Sequence, residues 1–264
     1  MLISGMYPQQ AIPGTNTPLH IQPKAVDSLK PDYACPPAST LYSSYGVDSQ
    51  SQNWTKHLSA AKHIFATLDA VSGIPGSDHD WHMSFDHYFD NLSARQCHDK
   101  VLPCAVNKTS PCATQDLADT VYRLGQYEYS FLYRDSPDSL RAAVGSYGVW
   151  IAELAQNIRD AMAGDSGVLY RHNVAHDGSL ARLLSILQVE VMVWPGMGAE
   201  VVFELYKKEK KWFVRILWGG RVLRSSHPAL GEVDMVDVEV LLGYFEGLVG
   251  RRAEKVVEFC GSGK

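Results

Sequence analysis

The sequence places a histidine beside an aspartate, His176-Asp177, between two segments of contrasting pattern. The run before the pair, GVLYRHNVA over residues 167–175, predicts a strand, and the run after it, SLARLLSILQ, has the apolar spacing of a helix. A strand that enters a helix through a tight turn puts the turn at the carboxyl edge of a sheet, where open α/β folds bind ligands. Because a helix N-terminus offers unpaired N–H groups, an anion is favoured there.

These two side chains suit the hydrolysis of a phosphomonoester. His176 can donate a hydrogen bond to a phosphate oxygen, and Asp177 can act as the general acid that protonates the leaving alkoxide. On spacing alone a plainer interpretation stays open, in which Asp177 or Ser179 caps the helix and His176 is a turn residue.

Bulk properties exclude two classes of partner. The 264 residues carry a net charge of -5, so no excess of positive charge attracts nucleic acid or an anionic membrane. No apolar run reaches the roughly 18 residues that span a bilayer. We therefore expect neither nucleic acid nor membrane as a partner.

Cysteines and sequons indicate the secretory pathway. Cys97, Cys104 and Cys112 lie close together, so two of them can close a short disulfide loop, and the odd total of 5 leaves at least one cysteine without a partner in the chain. Predicted glycosylation sites lie in the same half of the chain, at Asn53, Asn91 and Asn107.

The first residues do not fit a secreted protein. MLISGMYPQQAIPG lacks the basic n-region of a signal peptide, and its apolar run breaks at Pro8. A secretory pattern without a signal peptide suggests a chain that lacks its beginning.

Apolar periodicity divides the chain into two parts. Residues 1–53 predict loop with a short strand near Leu19–Ile21, and residues 200–224 predict a β-hairpin that turns near residues 208–210. Helical spacing predicts helices over residues 54–72, 79–95, 114–134, 146–164, 179–188 and 236–249. The order of these elements predicts an α/β layer architecture over about residues 141–264 and a mostly helical cap over about residues 54–140.

Several stretches resemble one family, the histidine acid phosphatases, and particularly its fungal members. They are YRHNVAHDGSLARLLSILQVEVMVWPGMGAEVVFELYKK, FDNLSARQCHDKVLPC, LYSSYGV and WGGRVLRSS, and the resemblance runs over essentially the whole chain. It implies a three-layer α/β/α core with a helical cap, and hydrolysis of phosphomonoesters at acid pH without a metal or other cofactor. By motif match it implies that His176 binds the phosphate and that Asp177 is the proton donor.

The chain departs from this family at the nucleophile. In the family a histidine in an RHG motif attacks phosphorus, and no RHG occurs in this sequence. The pair Arg171-His172 belongs to the strand before the HD pair and does not match that motif. The resemblance therefore implies one incomplete domain over residues 1–264, without its first strand, first helix and clamp arginines, and with an exposed sheet edge through which it can associate.

Two functional hypotheses follow. In one, the chain is an acid phosphatase that is inactive alone and requires the absent strand. In the other, it is a catalytically inert relative that acts as a binding or interaction protein.

A metal site is the remaining chemical alternative. The spacing of the first two histidines in the HDWHMSFDHYFD stretch is typical of zinc or iron ligands, although a polar surface on a cap helix explains the same pattern. The side chains concerned are His79, Asp80, His82, Asp86, His87 and Asp90. The family resemblance implies no metal.

Overall fold

The protein is a mixed helical and β structure in which helices predominate. The computed structural model describes residues 22–24, 26–30, 33–47, 49, 51–105, 111–164 and 167–261. The predicted strand near Leu19–Ile21 and the sequon at Asn107 lie outside these ranges. Among the described residues, no helix combines the length and the apolar character that a membrane span needs.

Most predicted helices are present, with changes at their ends. In chain order the helices are α1 (Pro36–Tyr45), α2 (Gln52–Ala60), α3 (Lys62–Ser72), α4 (His79–His82), α5 (Asp86–Cys97), α6 (Gln115–Ser130), α7 (Ser139–Ala163), α8 (Asp177–Ile186), α9 (Val238–Val249) and α10 (Glu254–Gly261). A π-helical turn, Phe131–Asp135, continues α6. The Thr114 hydroxyl caps α6 by accepting from the Leu117 N–H, and Gly164 ends α7 in the left-handed conformation; both residue types are common at these positions.

Three predictions about helices are wrong. Residues 36–45 were predicted as loop but form α1, which begins with two prolines, at positions where a helix tolerates a missing N–H. The predicted helix over residues 54–72 is two helices, because Ala61 leaves the helical conformation at φ -95° and ψ 6°. The predicted helix over residues 79–95 is also two helices, α4 and α5, which residues 83–85 separate.

The sheet is small and antiparallel. Strands β1 (Val201–Lys208) and β2 (Lys211–Trp218) form the predicted hairpin, in which Lys208 pairs with Lys211 across a two-residue turn. Short strands β3 (Arg221–Val222) and β4 (Val236–Asp237) both pair with the other edge of β2, near its opposite ends.

The predicted strand over residues 167–175 is not part of this sheet. These residues are exposed and belong to none of the strands that the structure describes. A strand requires a neighbouring backbone edge, and this segment lies beside side chains of α7 instead. His176 and Asp177 therefore do not lie at the carboxyl edge of the observed sheet, as the sequence pattern had indicated.

Two apolar clusters hold the structure. The first joins α7, α8, α9 and β2 and includes Ile151, Leu184, Ile216 and Phe245. The second joins α3, α5 and α6, and one residue of the C-terminal half, Trp194, packs into it. The division into a cap over residues 54–140 and a core over residues 141–264 stays a prediction.

Two disulfides are present. Cys104 pairs with Cys112, which confirms the predicted short loop, and Cys97 is free and exposed. Cys35 pairs with Cys260 across a separation of 225 residues and joins α1 to α10. Disulfides of this kind form and persist in oxidising compartments.

Removal of the long-range disulfide should destabilise the protein more than removal of the short one. In a Cys97→Ser background, which prevents disulfide exchange, we expect Cys35→Ser/Cys260→Ser to lower the free energy of unfolding by about 4–5 kcal/mol and Cys104→Ser/Cys112→Ser by about 2–3 kcal/mol, because the longer loop restricts the unfolded chain more. Denaturant unfolding of the two variants measures the difference, and equal losses would contradict the expectation.

A buried carboxylate joins three segments of the helical part. Glu128 on α6 is 2% exposed, and its Oε1 lies 2.9 Å from Nε2 of His57 on α2. Both carboxylate oxygens accept from the backbone N–H of Phe85, just before α5, at 3.2 and 2.9 Å. Burial raises the pKa of Glu128 above its ordinary value of 4.5, although His57 and the Phe85 N–H act in the opposite direction.

This raised pKa predicts a pH-dependent contribution to stability. Because the folded protein holds the Glu128 proton more tightly than the unfolded chain, the contribution is complete below the ordinary pKa and is lost as pH rises through the folded pKa. Glu128→Gln keeps the shape and an acceptor for the Phe85 N–H but does not titrate. We expect the variant to gain in unfolding free energy relative to wild type between about pH 4 and about pH 7. Denaturant unfolding at both pH values, with exposed Glu239→Gln as control, tests this; a difference that does not change with pH would contradict it.

Candidate functional site

The candidate site lies at the N-terminus of α8. His176 is the N-cap residue, in extended conformation, and Asp177 is the first helical residue. The His176 carbonyl accepts from the N–H groups of Ser179 and Leu180. The Ser179 hydroxyl donates instead to the carbonyl of Leu29 at 2.6 Å. Neither capping alternative is therefore correct, because neither Asp177 nor Ser179 is the N-cap.

Three donors converge on the Asp177 carboxylate. Its Oδ2 accepts from the Tyr129 hydroxyl at 2.6 Å and from Nε1 of Trp194 at 2.8 Å. Its Oδ1 accepts from the Gly178 N–H at 2.7 Å. Donors of this kind stabilise negative charge and fix the direction of the carboxylate. The arrangement fixes the direction of the Asp177 carboxylate, because one oxygen accepts from two side chains and the other accepts from the first turn of α8.

An aromatic stack positions the two side-chain donors. The Trp194 ring, 5% exposed, lies between the rings of Phe89 and Tyr129, with each pair of centroids 4.0 Å apart. The stack requires a glycine at position 125 on α6, because a Cβ there would lie 2.6 Å from Cδ2 of Phe89 and 2.9 Å from Cε3 of Trp194. The indole N–H therefore reaches Asp177 from a ring that has little freedom to move.

Tyr129 stays a neutral donor in this environment. Burial raises its pKa, and the neighbouring Tyr133 and Asp177 raise it further. A phenol that keeps its proton can donate to a carboxylate over the whole range of pH in which the protein is folded.

Arg182 provides a fixed positive charge behind the first turn of α8. Its Nη1 donates to the carbonyl of Gly178 at 2.7 Å and its Nε donates to the Ser146 hydroxyl at 3.1 Å. The guanidinium lies 5.4 Å from the ring centroid of Tyr42 and 5.5 Å from that of Tyr133. Burial lowers the pKa of Arg182, but the two phenols outweigh burial and leave that pKa raised.

Sequence reasoning did not single out Tyr129, Trp194 or Arg182. No local pattern distinguishes Trp194, and Tyr129 is one aromatic among several in α6. Only Arg182 had a local signal, since it follows the HD pair by a little more than one helical turn.

His176 lies at the site only because it precedes Asp177 in the chain. Its side chain is exposed, and its imidazole forms no hydrogen bond with the described residues. The backbone places it next to Asp177 and leaves it accessible to a ligand. Its assignment to phosphate binding stays a prediction.

Arg171 and His172 lie on the exposed segment before the site. Nδ1 of His172 lies 3.0 Å from the hydroxyl of Tyr170, and all three side chains are exposed.

The histidine- and aspartate-rich stretch over residues 79–90 does not form a metal centre in the described ranges. Nε2 of His82 lies 2.9 Å from Oδ1 of Asp69, and the ring of His87 lies 4.8 Å from that of Trp81. Within those ranges no three His, Cys, Asp or Glu side chains are grouped so as to hold a metal ion.

Asp90 from the same stretch lies near the candidate site instead. Its pKa is raised by partial burial, and the charges of Asp177 and Asp86 add to the effect. A second carboxylate, on α5, is therefore close enough to Asp177 for the two charges to interact.

Two of the predicted glycosylation sites are accessible. Asn53 on α2 and Asn91 on α5 are exposed, and Nδ2 of Asn91 donates to the carbonyl of His87 at 2.8 Å. Glycosylation at these positions stays a prediction.

Neither a scan of known protein-family models nor a search of curated protein sequences finds a match for this chain.

The anchoring of Asp177 can be measured through stability. Tyr129→Phe keeps the aromatic stack but removes one donor to Oδ2, so we expect the free energy of unfolding to fall by about 1–3 kcal/mol. Tyr127→Phe, at a position that is 43% exposed on the same helix, should change it by less than about 0.5 kcal/mol. Urea unfolding of the two variants provides the comparison. Equal losses would show that the Tyr129 hydroxyl does not hold Asp177.

Proposed function

We propose that this chain carries the proton-donor half of a phosphomonoesterase site of the histidine acid phosphatase type. The observation that carries the proposal is the Asp177 carboxylate, held by three donors at the N-terminus of α8 next to an accessible His176. The three-layer α/β/α core with a helical cap, and a place in the secretory pathway, belong to the same proposal and rest on the family resemblance.

Asp177 is the general acid in the proposed reaction. As the bond between phosphorus and the leaving oxygen breaks, that oxygen takes the proton from the Asp177 carboxyl group, and an alcohol leaves instead of an alkoxide. The resulting carboxylate is stabilised by the donors from Tyr129, Trp194 and Gly178, which already point at it. It can then take a proton from the water that releases the phosphate.

Phosphate binding in this proposal uses the helix N-terminus and His176. The positive end of the helix dipole and the N–H of Asp177, the first helical residue, favour a dianion. His176 is exposed beside them and can donate to a phosphate oxygen. The charge of Arg182 behind the first turn acts in the same direction.

The nucleophile is not assigned to this chain. The sequence contains no RHG motif, and the proposal gives its residues proton donation and phosphate contact only. We therefore expect the chain alone to hydrolyse phosphate esters at the uncatalysed rate, because a proton donor assists a leaving group only when a nucleophile displaces it.

Added imidazole provides the missing nucleophile in a direct test. We expect imidazole to make the chain release phosphate from phenyl phosphate at about pH 5, and Asp177→Asn to lower that rate by about a hundredfold. The loss should be smaller with p-nitrophenyl phosphate, because its phenolate leaves readily without a proton. Phosphate release is measured by a colorimetric assay, with folding checked by circular dichroism.

Asp90→Asn is the matched control, because it removes a neighbouring carboxylate to which no role is given. It should keep most of the imidazole-dependent rate. If wild type and Asp177→Asn release phosphate equally, or if neither binds inorganic phosphate in a calorimetric titration, the proposal is wrong. The catalytically inert relative would then be the better description.

A further inference from the structure

The segment before the candidate site, residues 167–175, is an unusual stretch of surface. All its residues are exposed, and several of them are large and apolar. Leu169 is 100% exposed, Val174 is 78% exposed and Tyr170 is 46% exposed. An apolar run of this kind on a surface indicates an interaction site.

Its side chains alternate between two faces as in a strand. Tyr170 and His172 share one face, where the hydroxyl of the first lies 3.0 Å from Nδ1 of the second. Arg171 and Asn173 point to the other face, where they line a cleft of about 340 Å³ together with residues of α7, including Trp150. Residues 169–175 therefore have the period-two geometry of a β-strand, although none of the described strands pairs with them.

The backbone of this segment is open to pairing. In the part of the chain that the structure describes, the N–H and C=O groups of residues 169–175 form no backbone hydrogen bonds. A row of unpaired backbone groups next to exposed apolar side chains is a template for another strand.

Symmetry restricts how the segment can pair with itself. The two-fold axis of an antiparallel pair is perpendicular to the sheet, so a residue on one face can lie opposite only a residue of that same face. One register places Arg171 opposite Arg171, and like charges directly opposite destabilise a pair. The adjacent permitted register places His172 opposite His172. On each side of the axis it pairs Tyr170 with Val174, Arg171 with Asn173 and Leu169 with Ala175.

We propose that residues 169–175 form an antiparallel two-stranded ribbon with the same residues of a second copy of this chain, centred on His172. The centred register brings together an aromatic and a β-branched side chain twice, a combination that stabilises antiparallel strands. It also separates the two arginines and covers both copies of Leu169 and Val174. Because the contact is short, the dimer is weak and depends on protein concentration.

A charge placed on the axis tests this register. At about pH 8, sedimentation velocity of the whole chain over a wide concentration range should show a monomer–dimer equilibrium. His172→Lys should raise the dimer dissociation constant about fivefold or more, because two like charges then face each other. His172→Thr, which keeps strand propensity without a charge, should dimerise like wild type.

Val101→Lys is the control for an added surface charge, since Val101 is 81% exposed and lies outside the segment. It should leave the dimer unchanged. The proposal is overturned if wild type stays monomeric at every concentration, if His172→Lys dimerises as strongly as wild type, or if both His172 variants weaken the dimer equally. His172 has no role in the proposed phosphate site, so this test is independent of the imidazole experiment.

Discussion

The stacking of Trp194 between Phe89 and Tyr129 is the interaction on which the candidate site depends. It connects the C-terminal half of the chain to helices α5 and α6, because the indole packs in their apolar cluster. The same ring donates to Asp177, so the packing of Trp194 also fixes its hydrogen bond to the carboxylate. Without the stack, the Asp177 carboxylate would keep only the N–H of its own neighbour Gly178 as a fixed partner.

The helices that present these rings are held by a second polar contact. Glu128, next to Tyr129 in α6, is buried against His57 and the Phe85 backbone, and so fixes α6 relative to α2 and the start of α5. A buried carboxylate is costly unless its oxygens are hydrogen-bonded, and here both are. The site therefore depends on two adjacent residues of α6. Glu128 fixes the position of the helix, and Tyr129 contacts Asp177.

The surroundings of Asp177 differ on its two sides. On the helical side, Tyr129 and Trp194 fix the carboxylate, and the charge of Asp90 interacts with it. On the side before His176, residues 169–175 form no backbone hydrogen bonds with the described residues. A strand that pairs with this segment, from a second copy or from another source, would end next to the site. The surface proposed for association therefore lies directly beside Asp177.

Local patterns in the sequence determined helices α7, α8 and α9, the hairpin β1–β2 and the pair His176-Asp177, but not α10. These features depend on residues close together in the chain, where periodicity and capping act directly.

Tertiary structure alone decided which groups hold Asp177, because Tyr129 is 48 and Trp194 is 17 residues away along the chain. It also decided that Cys35 meets Cys260, and that residues 167–175 lie outside the sheet. A strand pattern states only that a segment can pair. Whether it does depends on a neighbouring backbone edge that the local sequence does not contain.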